Sequence, residues 1–275
     1  MEVGFVSDLH LDFYTDNPTV DKLIKFYQNT FYGASGHTLV IAGDISHSNH
    51  QSANFCRACL EFFDDIVLVT GNHDLYNTSK NMKHKHTTLF SRPTELHALL
   101  ANEPHIHFLD GSYVDINGVR FAGTMGWYDC SYYYKLSQGL YSETMLGHWM
   151  AYTNDACLIP ELNNPLDLWD IERPKIISAL ESKPQVMVTH FCPITHPVAI
   201  APRFALDRGT GYYCFDSTPL TTEHSPEFWI HGHMHDRHAF QQDRTQHLRN
   251  PLGYPSERTG TKIQFFDIKD QQCHH

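Results

Sequence analysis

The chain has 275 residues, of which 41% are hydrophobic and 19% are charged, so it can bury a sizeable core and is not a disordered protein. Its formal net charge of −11 disfavours non-specific binding to nucleic acid, which basic surfaces favour. No apolar run approaches the roughly 20 residues that cross a bilayer, and the N-terminus lacks a basic flank, so we expect neither a membrane span nor a signal peptide. Seven scattered cysteines fit a reducing compartment, and we predict a cytoplasmic protein.

The predicted elements alternate between strands and helices along most of the chain. In chain order they are strand 3–7, helix 19–31, strand 38–42, helix 51–63, strand 66–70, helices 94–100 and 173–181, and strands 185–189, 228–230, 237–241, 245–249 and 262–268. This alternation favours βαβ units, and continuous β-branched runs indicate strands that are buried on both faces. The last three strands follow one another without helices and predict a second sheet built partly from them. We therefore predict an α/β fold of two mixed sheets packed face to face, with helices outside.

One stretch, from about residue 126 to 170, is rich in aromatic residues and looks inserted into this pattern. It is either a lid over a site or an additional packed layer, and packing is favoured because aromatic side chains mostly fill cores. No internal repeat or linker-like change in composition divides the chain. We therefore predict a single domain over residues 1–275 that contains this insertion. The terminal His274 and His275 are left out of the functional argument, because such a pair is also typical of a tag.

Five short polar blocks each follow the end of a predicted strand. They are Asp8-Leu9-His10, Gly43-Asp44, Gly71-Asn72-His73-Asp74, His190, and Gly232-His233-Met234-His235. A lone Asp-x-His or Gly-Asp is usually turn chemistry, but the ordered set of five, each after a strand, is specific. Ligands gather at the carboxyl ends of strands in open α/β sheets, so these side chains are expected to meet.

The chemistry of these blocks favours a pair of metal ions. Mixed oxygen and imidazole ligands suit Mn, Fe, Zn, Ni or Co better than Ca or Mg alone. Two cations about 3.5–4 Å apart need an anion between them, and Asp44 is the candidate for this bridge. Asn72 offers a neutral amide oxygen, which adds a ligand without more negative charge. We predict two divalent transition metal ions, manganese among the candidates, and leave their identity open.

The ordered set resembles the calcineurin-like metallophosphoesterase superfamily, whose pattern runs Asp-x-His, Gly-Asp, Gly-Asn-His-Asp/Glu, His, Gly-His-x-His. The resemblance covers the core from Val3 to about Ile268 and implies a four-layer α-β-β-α sandwich. It implies one ion held by Asp8, His10, Asp44 and His235, and another held by Asp44, Asn72, His190 and His233. The segment 249–255, Arg-Asn-Pro-Leu-Gly-Tyr-Pro, also resembles a feature of some bacterial members.

The resemblance also implies a function, namely metal-dependent hydrolysis of a phosphomonoester or phosphodiester. A hydroxide that bridges the two metals would attack phosphorus, and His73 would act as general acid towards the leaving oxygen. Asp74 would orient His73 and raise its basicity. The expected substrate is a phosphorylated small molecule or nucleotide.

Four further residues are candidates for contact with substrate. His47 lies close in sequence to a ligand block, and His196 lies in a proline-rich loop that follows His190. Arg203 and Arg208, in the loop 201–211, are suited to a second phosphate. For each of the four, an ordinary exposed or locally hydrogen-bonded side chain is the alternative.

Two other functions are consistent with the pattern. A nuclease would act on nucleic-acid phosphodiesters, but the acidic charge and the lack of a basic stretch interleaved with aromatics count against it. A non-catalytic scaffold with a metal fold would be expected to lose ligands or the acid His73, and here every position is present.

Overall fold

The structure is a computed structural model that describes residues 1–16, 19–137, 142–220 and 225–268, with the backbone alone described for 142–144. Within these ranges the strands are Glu2–Val6 (β1), Gly36–Ala42 (β2), Phe63–Val69 (β3), Ile106–Phe108 (β4), Ser112–Ile116 (β5), Val119–Gly123 (β6), Val186–Val188 (β7), Phe228–His231 (β8), His238–Gln242 (β9), Thr245–Arg249 (β10) and Gln264–Asp267 (β11). The α-helices are Val20–Phe31 (α1), Asn49–Cys59 (α2), Lys80–Lys85 (α3), Ser91–Leu100 (α4), Ser131–Leu136 (α5), Ser142–Tyr152 (α6), Asp155–Leu158 (α7) and Pro165–Glu181 (α8). In these described ranges, none of the helices has the length and apolar character that crossing a bilayer requires. The terminal pair His274 and His275 lies outside the described residues.

The strands form two mixed sheets. The first has the order β11-β1-β2-β3-β4, in which β1 to β4 are parallel and β11 is an antiparallel edge. The second has the order β5-β6-β7-β8-β10-β9, in which β5 and β9 are antiparallel edges of a parallel centre. The predicted α/β fold of two mixed sheets is therefore confirmed. The last strand joins the first sheet, where it covers the edge that β1 would otherwise expose.

Alternation of side chains along the strands separates three apolar layers. Between the sheets lie Val3, Phe5, Val40, Val67, Phe121, Val186, Val188 and Ile230. The opposite faces of β2 and β3 pack against α1, α2 and α4 through Leu39, Ile41, Ile66, Leu68, Leu23, Tyr27, Phe55 and Leu96. The outer face of the second sheet packs against α8 through Met187, Trp229, Leu168, Ile176 and Leu180. Helices thus flank both sheets, as the four-layer α-β-β-α sandwich requires.

The aromatic-rich segment 126–170 contributes to this last layer. Trp127, Tyr128, Tyr133 and Trp149 are fully or almost fully buried there beside residues of α8. Most of the aromatic side chains described in this segment are therefore packed in a layer. The organisation as one domain over 1–275 with an insertion stays a prediction.

Phe121 lies in the apolar layer between the sheets, so we expect its truncation to destabilise the fold strongly. Replacing Phe121, which is 0% exposed, with alanine is expected to lower the free energy of unfolding by about 3–5 kcal/mol, because a cavity replaces the ring. Chemical denaturation of the purified protein measures this change. The control is Leu206→Ala, since Leu206 is 88% exposed and its loss should change stability by less than about 0.5 kcal/mol. Equal effects of the two changes would contradict the layer assignment.

Candidate metal centre

Every predicted metal ligand lies beyond the carboxyl end of a strand, and the two sheets bring all seven together. They are Asp8 and His10 after β1, Asp44 after β2, Asn72 after β3, His190 after β7, and His233 and His235 after β8. Three groups of candidate ligand atoms, each within 4.8 Å of one another, share members: Asp8, His10 and His235; His10, Asp44 and His73; and Asp44, His190 and His233. Six of the seven ligands therefore form one continuous cluster with His73, and Asn72 joins it through Oδ1, which lies 3.2 Å from Nε2 of His190.

The backbone of this cluster is unusual. Five of the seven residues take the left-handed region, with φ between 42° and 67°: Asp8, His10, Asp44, His233 and His235. This region costs a residue with a Cβ about 1–2 kcal/mol. A concentration of such residues is typical of functional sites, where the surrounding structure enforces the conformation. Gly71 permits a close approach here, because a Cβ on it would lie 2.2 Å from Oδ1 of Asp44.

The first group is built around two facing imidazoles. Nε2 of His10 lies 3.1 Å from Nε2 of His235. Oδ1 of Asp8 lies 3.5 Å from Nε2 of His235, and Oδ2 of Asp44 lies 3.8 Å from Nε2 of His10. Asp8 is itself held by the backbone N–H of His233, which donates to Oδ1 at 2.9 Å.

The group of Asp44, His190 and His233 also contains two facing imidazoles. Nε2 of His190 lies 3.1 Å from Nδ1 of His233 and 3.2 Å from Oδ1 of Asn72. Oδ2 of Asp44 lies 3.4 Å from Nε2 of His190, so the same carboxylate oxygen faces both groups. This is the position that a bridging carboxylate would need.

The donor set fits metal cations. Nδ1 of His190 donates to the carbonyl of Ala42 at 2.9 Å, and Nδ1 of His235 donates to Glu257 at 2.9 Å, so Nε2 of each ring points into the cluster. Two nitrogens that each lie about 2.1 Å from one ion are about 3.0 Å apart at a right angle and about 3.4 Å apart at a tetrahedral angle. The observed 3.1 Å separations fall within that range. Facing lone pairs at this distance repel unless a cation or a proton lies between them.

The electrostatics of the ligand-free cluster agree with this. Burial alone would raise the pKa of Asp8 and of Asp44, yet both are lowered, because His235 and His190 respectively favour the charged carboxylates. In turn, although burial opposes it, the pKa of His190 is raised to about 9 beside Asp44, and that of His235 to about 9 beside Asp8. Metal binding would therefore displace protons.

Two carboxylates outside the predicted set orient ligands. Glu257 accepts the Nδ1 proton of His235 and also the backbone N–H of Tyr254 at 2.8 Å. Asp155, at the start of α7, accepts from Nδ2 of Asn72 at 2.9 Å. Sequence reasoning missed both, because each reaches its ligand from a loop or segment that carries no motif. Partners of this kind fix the ring or amide orientation of a metal ligand.

His73 lies beside the ligands, and its ring has two partners. Nδ1 lies 2.9 Å from Nε2 of His47, whose own Nδ1 donates to Asp12 at 2.7 Å. Nε2 of His73 lies 3.3 Å from the hydroxyl of Tyr254, which is in the segment 249–255. Burial lowers the pKa of His73 to about 3, so the ring is neutral near pH 7 in the ligand-free protein.

The prediction that Asp74 orients the His73 ring is wrong. The Asp74 carboxylate instead accepts backbone N–H groups at 2.8–3.4 Å, from Gly71, Asp44, Ile45 and Ser46. Asp74 is buried, and burial raises its pKa to about 6. It therefore holds together the two loops after β2 and β3, and the partner of the His73 ring is His47.

A cleft of about 400 Å³ opens at the cluster. Residues from four parts of the chain contribute to its lining: Asp44, Asn72, His73, His233 and His235 from the cluster, Tyr152 to Asp155 from the aromatic-rich segment, Ile200, Arg203, Phe204, Tyr212 and Tyr213 from the loop after β7, and Tyr254 and Glu257 from the loop after β10. The cluster is thus open to a molecule that enters between the aromatic-rich segment and the loop after β7.

The four candidates for substrate contact are placed differently. Arg203 lines the cleft, with its guanidinium 4.7 Å from the Phe204 ring. His47 lies behind His73. His196 accepts the N–H of Val198 through Nδ1 at 3.2 Å, and Arg208 stacks at 5.6 Å on Tyr133. Among the described residues, the cleft lining includes Arg203 and leaves out the other three.

Comparison with known proteins places the chain in a class. Residues 1–237 match the family described as calcineurin-like phosphoesterase. Because the match covers most of the chain, the chain belongs to this family and is a metal-dependent phosphoesterase. Members of the family normally bind divalent metals, in agreement with the ligand groups found here.

Particular proteins resemble the chain over almost its full length. It is 22% identical to "Uncharacterized protein L509" of Acanthamoeba polyphaga mimivirus, over 92% of this chain and 91% of that protein. The structure of phosphopantetheinyl hydrolase (PptH) from Mycobacterium tuberculosis matches with a TM-score of 0.71 at 16% identity, over 95% of each chain. The protein TT1561 of Thermus thermophilus matches with a TM-score of 0.52 at 12% identity, over 98% of this chain and 99% of that one. At these identities the two structural matches show the shared fold.

The contact between Glu257 and His235 makes a prediction about metal affinity. Glu257→Ala leaves the His235 ring free to turn, so the affinity for divalent metal is expected to fall by about 10–100-fold. Calorimetric titration of the chelator-treated protein with Mn²⁺ measures it. Glu103→Ala is the control, because Glu103 is similarly exposed and pairs with Arg57 instead. Unchanged affinity in Glu257→Ala would rule out the orienting contact.

Proposed function

We propose that the cluster holds two divalent transition metal ions and that the chain uses them to hydrolyse a phosphomonoester or a phosphodiester. The observation that carries this proposal is the pair of 3.1 Å contacts between ring nitrogens, with one oxygen of Asp44 facing both groups. One ion would be held by Asp8, His10, Asp44 and His235, and the other by Asp44, Asn72, His190 and His233. The mixed nitrogen and oxygen ligands suit Mn, Fe, Zn, Ni or Co.

The protein groups have separate tasks in this proposal. When bound, such ions lower the pKa of water towards about 7 and polarise phosphoryl oxygens. Asp44 supplies negative charge between the two cations. His73 donates from Nε2 to the leaving oxygen, because its Nδ1 is engaged by His47 while Nε2 faces Tyr254 in the lining of the cleft. The negative charge of a bound phosphate raises the pKa of the buried ring and so favours its protonated form.

The dimensions of the cleft favour a small substrate. A volume of about 400 Å³ suits a phosphorylated small molecule or a nucleotide. Tyr212 and Tyr213 line the cleft, and Arg203 offers a positive charge to a second anionic group. The net charge of −11 disfavours a nuclease.

Assays with Mn²⁺ and a panel of phosphoesters test this proposal. The panel contains p-nitrophenyl phosphate, bis(p-nitrophenyl) phosphate, nucleotides, sugar phosphates and, since PptH is a phosphopantetheinyl hydrolase of the same fold, a phosphopantetheinyl ester. Single- and double-stranded oligonucleotides represent the nuclease alternative. A protein that binds Mn²⁺ and turns over none of these would be a scaffold.

Two substitutions are expected to separate metal binding from proton donation. His73→Ala should lower kcat by about 10²–10⁴-fold while two Mn²⁺ ions still bind, because the acid is lost and the seven ligands remain. Asp44→Asn should lose at least one of the two ions together with activity, because the bridging charge is removed. Metal analysis and turnover of the p-nitrophenyl esters measure both. Wild-type turnover in either variant would contradict the proposed roles.

The contact between His47 and His73 predicts an effect on kcat. His47→Ala removes the partner that holds the His73 ring, and kcat is expected to fall by about 10–100-fold with little change in KM. Steady-state kinetics on the preferred ester of the panel measure this. His196→Ala is the matched control, because its ring lies outside the cleft lining and accepts a backbone N–H. If KM rises and kcat stays constant in His47→Ala, His47 contacts substrate instead.

A further inference from the structure

The amide of Asn72 is held by a buried network that belongs to the aromatic-rich segment. Its Nδ2 donates to Oδ1 of Asp155 at 2.9 Å and to the hydroxyl of Tyr76 at 2.9 Å. Both N–H groups of the amide are therefore used. The carbonyl oxygen is left to face the cluster, where it lies 3.2 Å from Nε2 of His190.

Asp155 is well suited to hold this arrangement. It is 3% exposed, and its two oxygens also accept from the hydroxyls of Tyr76 at 2.6 Å and Tyr128 at 2.7 Å. The indole of Trp149 donates to the Tyr128 hydroxyl at 2.6 Å, which leaves the Tyr128 proton for Asp155. Because three donors surround this buried carboxylate, its hydrogen bonds fix the orientation of the Asn72 amide.

A backbone contact ties the same two regions together. The N–H of Asn77, in the loop that begins at Asn72, donates to the carbonyl of Leu158 at the end of α7. Side chains of the loop, Leu75 and Tyr76, pack in the same apolar cluster as Tyr128 and Trp149. The segment thus contacts the Asn72 loop through backbone, apolar and polar groups.

We propose that Asp155 is a positioning residue of the metal centre, which sets the Asn72 carbonyl oxygen as a ligand, and that the aromatic-rich segment is therefore required for binding of the second ion. This proposal rests on the proposed two-metal function. Asp155 acts through Asn72, since the carboxylate is occupied by three donors. The alternative is that Asp155 only stabilises the outer layer of the fold.

The test is the metal affinity of Asp155→Ala. This change removes both carboxylate oxygens, so Nδ2 of Asn72 loses one of its two acceptors. Calorimetric titration of the chelator-treated protein with Mn²⁺ is expected to show one site as in wild type and one weakened by about 10–100-fold. The absorption spectrum of the protein loaded with Co²⁺ should also change, because it reports the ligands of the ion.

Glu172→Ala is the matched control. Glu172 is also a buried carboxylate of the outer layer, and it accepts from Thr124, Lys175 and the backbone of Gly126, none of which is one of the seven predicted ligands. Glu172→Ala should lower the thermal stability of the metal-free protein as much as Asp155→Ala does. It should keep the wild-type affinity for Mn²⁺. Equal losses of affinity in Glu172→Ala and Asp155→Ala would show that Asp155 is merely structural.

Tyr76→Phe keeps the proposal testable if Asp155→Ala does not fold. It removes one partner of the Asn72 amide and one donor to Asp155, and the weaker site should lose affinity in the same direction. Wild-type Mn²⁺ affinity in either variant would overturn the role of Asp155. Failure of the wild-type protein to bind two Mn²⁺ ions would instead overturn the proposed function itself.

Discussion

A hydrogen bond from Nδ1 of His190 to the carbonyl of Ala42 joins the two sheets at the metal centre. This bond attaches a side chain that follows the second sheet to the backbone at the end of β2. It also fixes the ring orientation in which Nε2 faces Asp44. The N–H of His233 makes the reciprocal contact, to the Asp8 carboxylate of the first sheet. Both contacts require that the carboxyl ends of β1, β2, β7 and β8 lie at the same edge. The apolar layer between the sheets maintains that alignment, because its residues interdigitate from both sides.

The ligand cluster contains several features that lower the free energy of unfolding, and interactions elsewhere in the fold must offset them. Five ligand positions take left-handed backbone, at about 1–2 kcal/mol each, and two carboxylates are buried close together. Protonated His190 and His235 compensate the carboxylates when no metal is bound. Cations that bind only the folded chain would replace those protons and add stability in proportion to their affinity.

Sequence reasoning reached the ligand cluster because the rule behind it is simple. Each block follows an apolar run, and parallel strands of an α/β sheet end together, so Asp8, Asp44 and Asn72, which follow strands of the first sheet, could be expected to meet. The same reasoning could not find Glu257 or Asp155, because their positions depend on how two loops pack in three dimensions. It was wrong about Asp74 because adjacency in the chain does not decide which group a side chain faces. Three backbone N–H groups of the loop after β2 and one of the loop after β3 surround that carboxylate, and the neighbouring ring points towards His47.

The aromatic-rich segment connects the wall of the cleft to the ligand cluster. Its residues Tyr152 to Asp155 form part of the cleft wall, where loops usually vary without disturbing the scaffold. Here the wall also holds the Asn72 amide through Asp155, and its buried rings anchor it to α8. A change that reshapes the wall would therefore move a group that faces His190, whereas a change at Arg203, on the opposite loop, would not. On the 200–213 side of the cleft, Arg203 is therefore the position to change for selectivity, whereas the ring of Tyr213 packs 4.6 Å from that of His233.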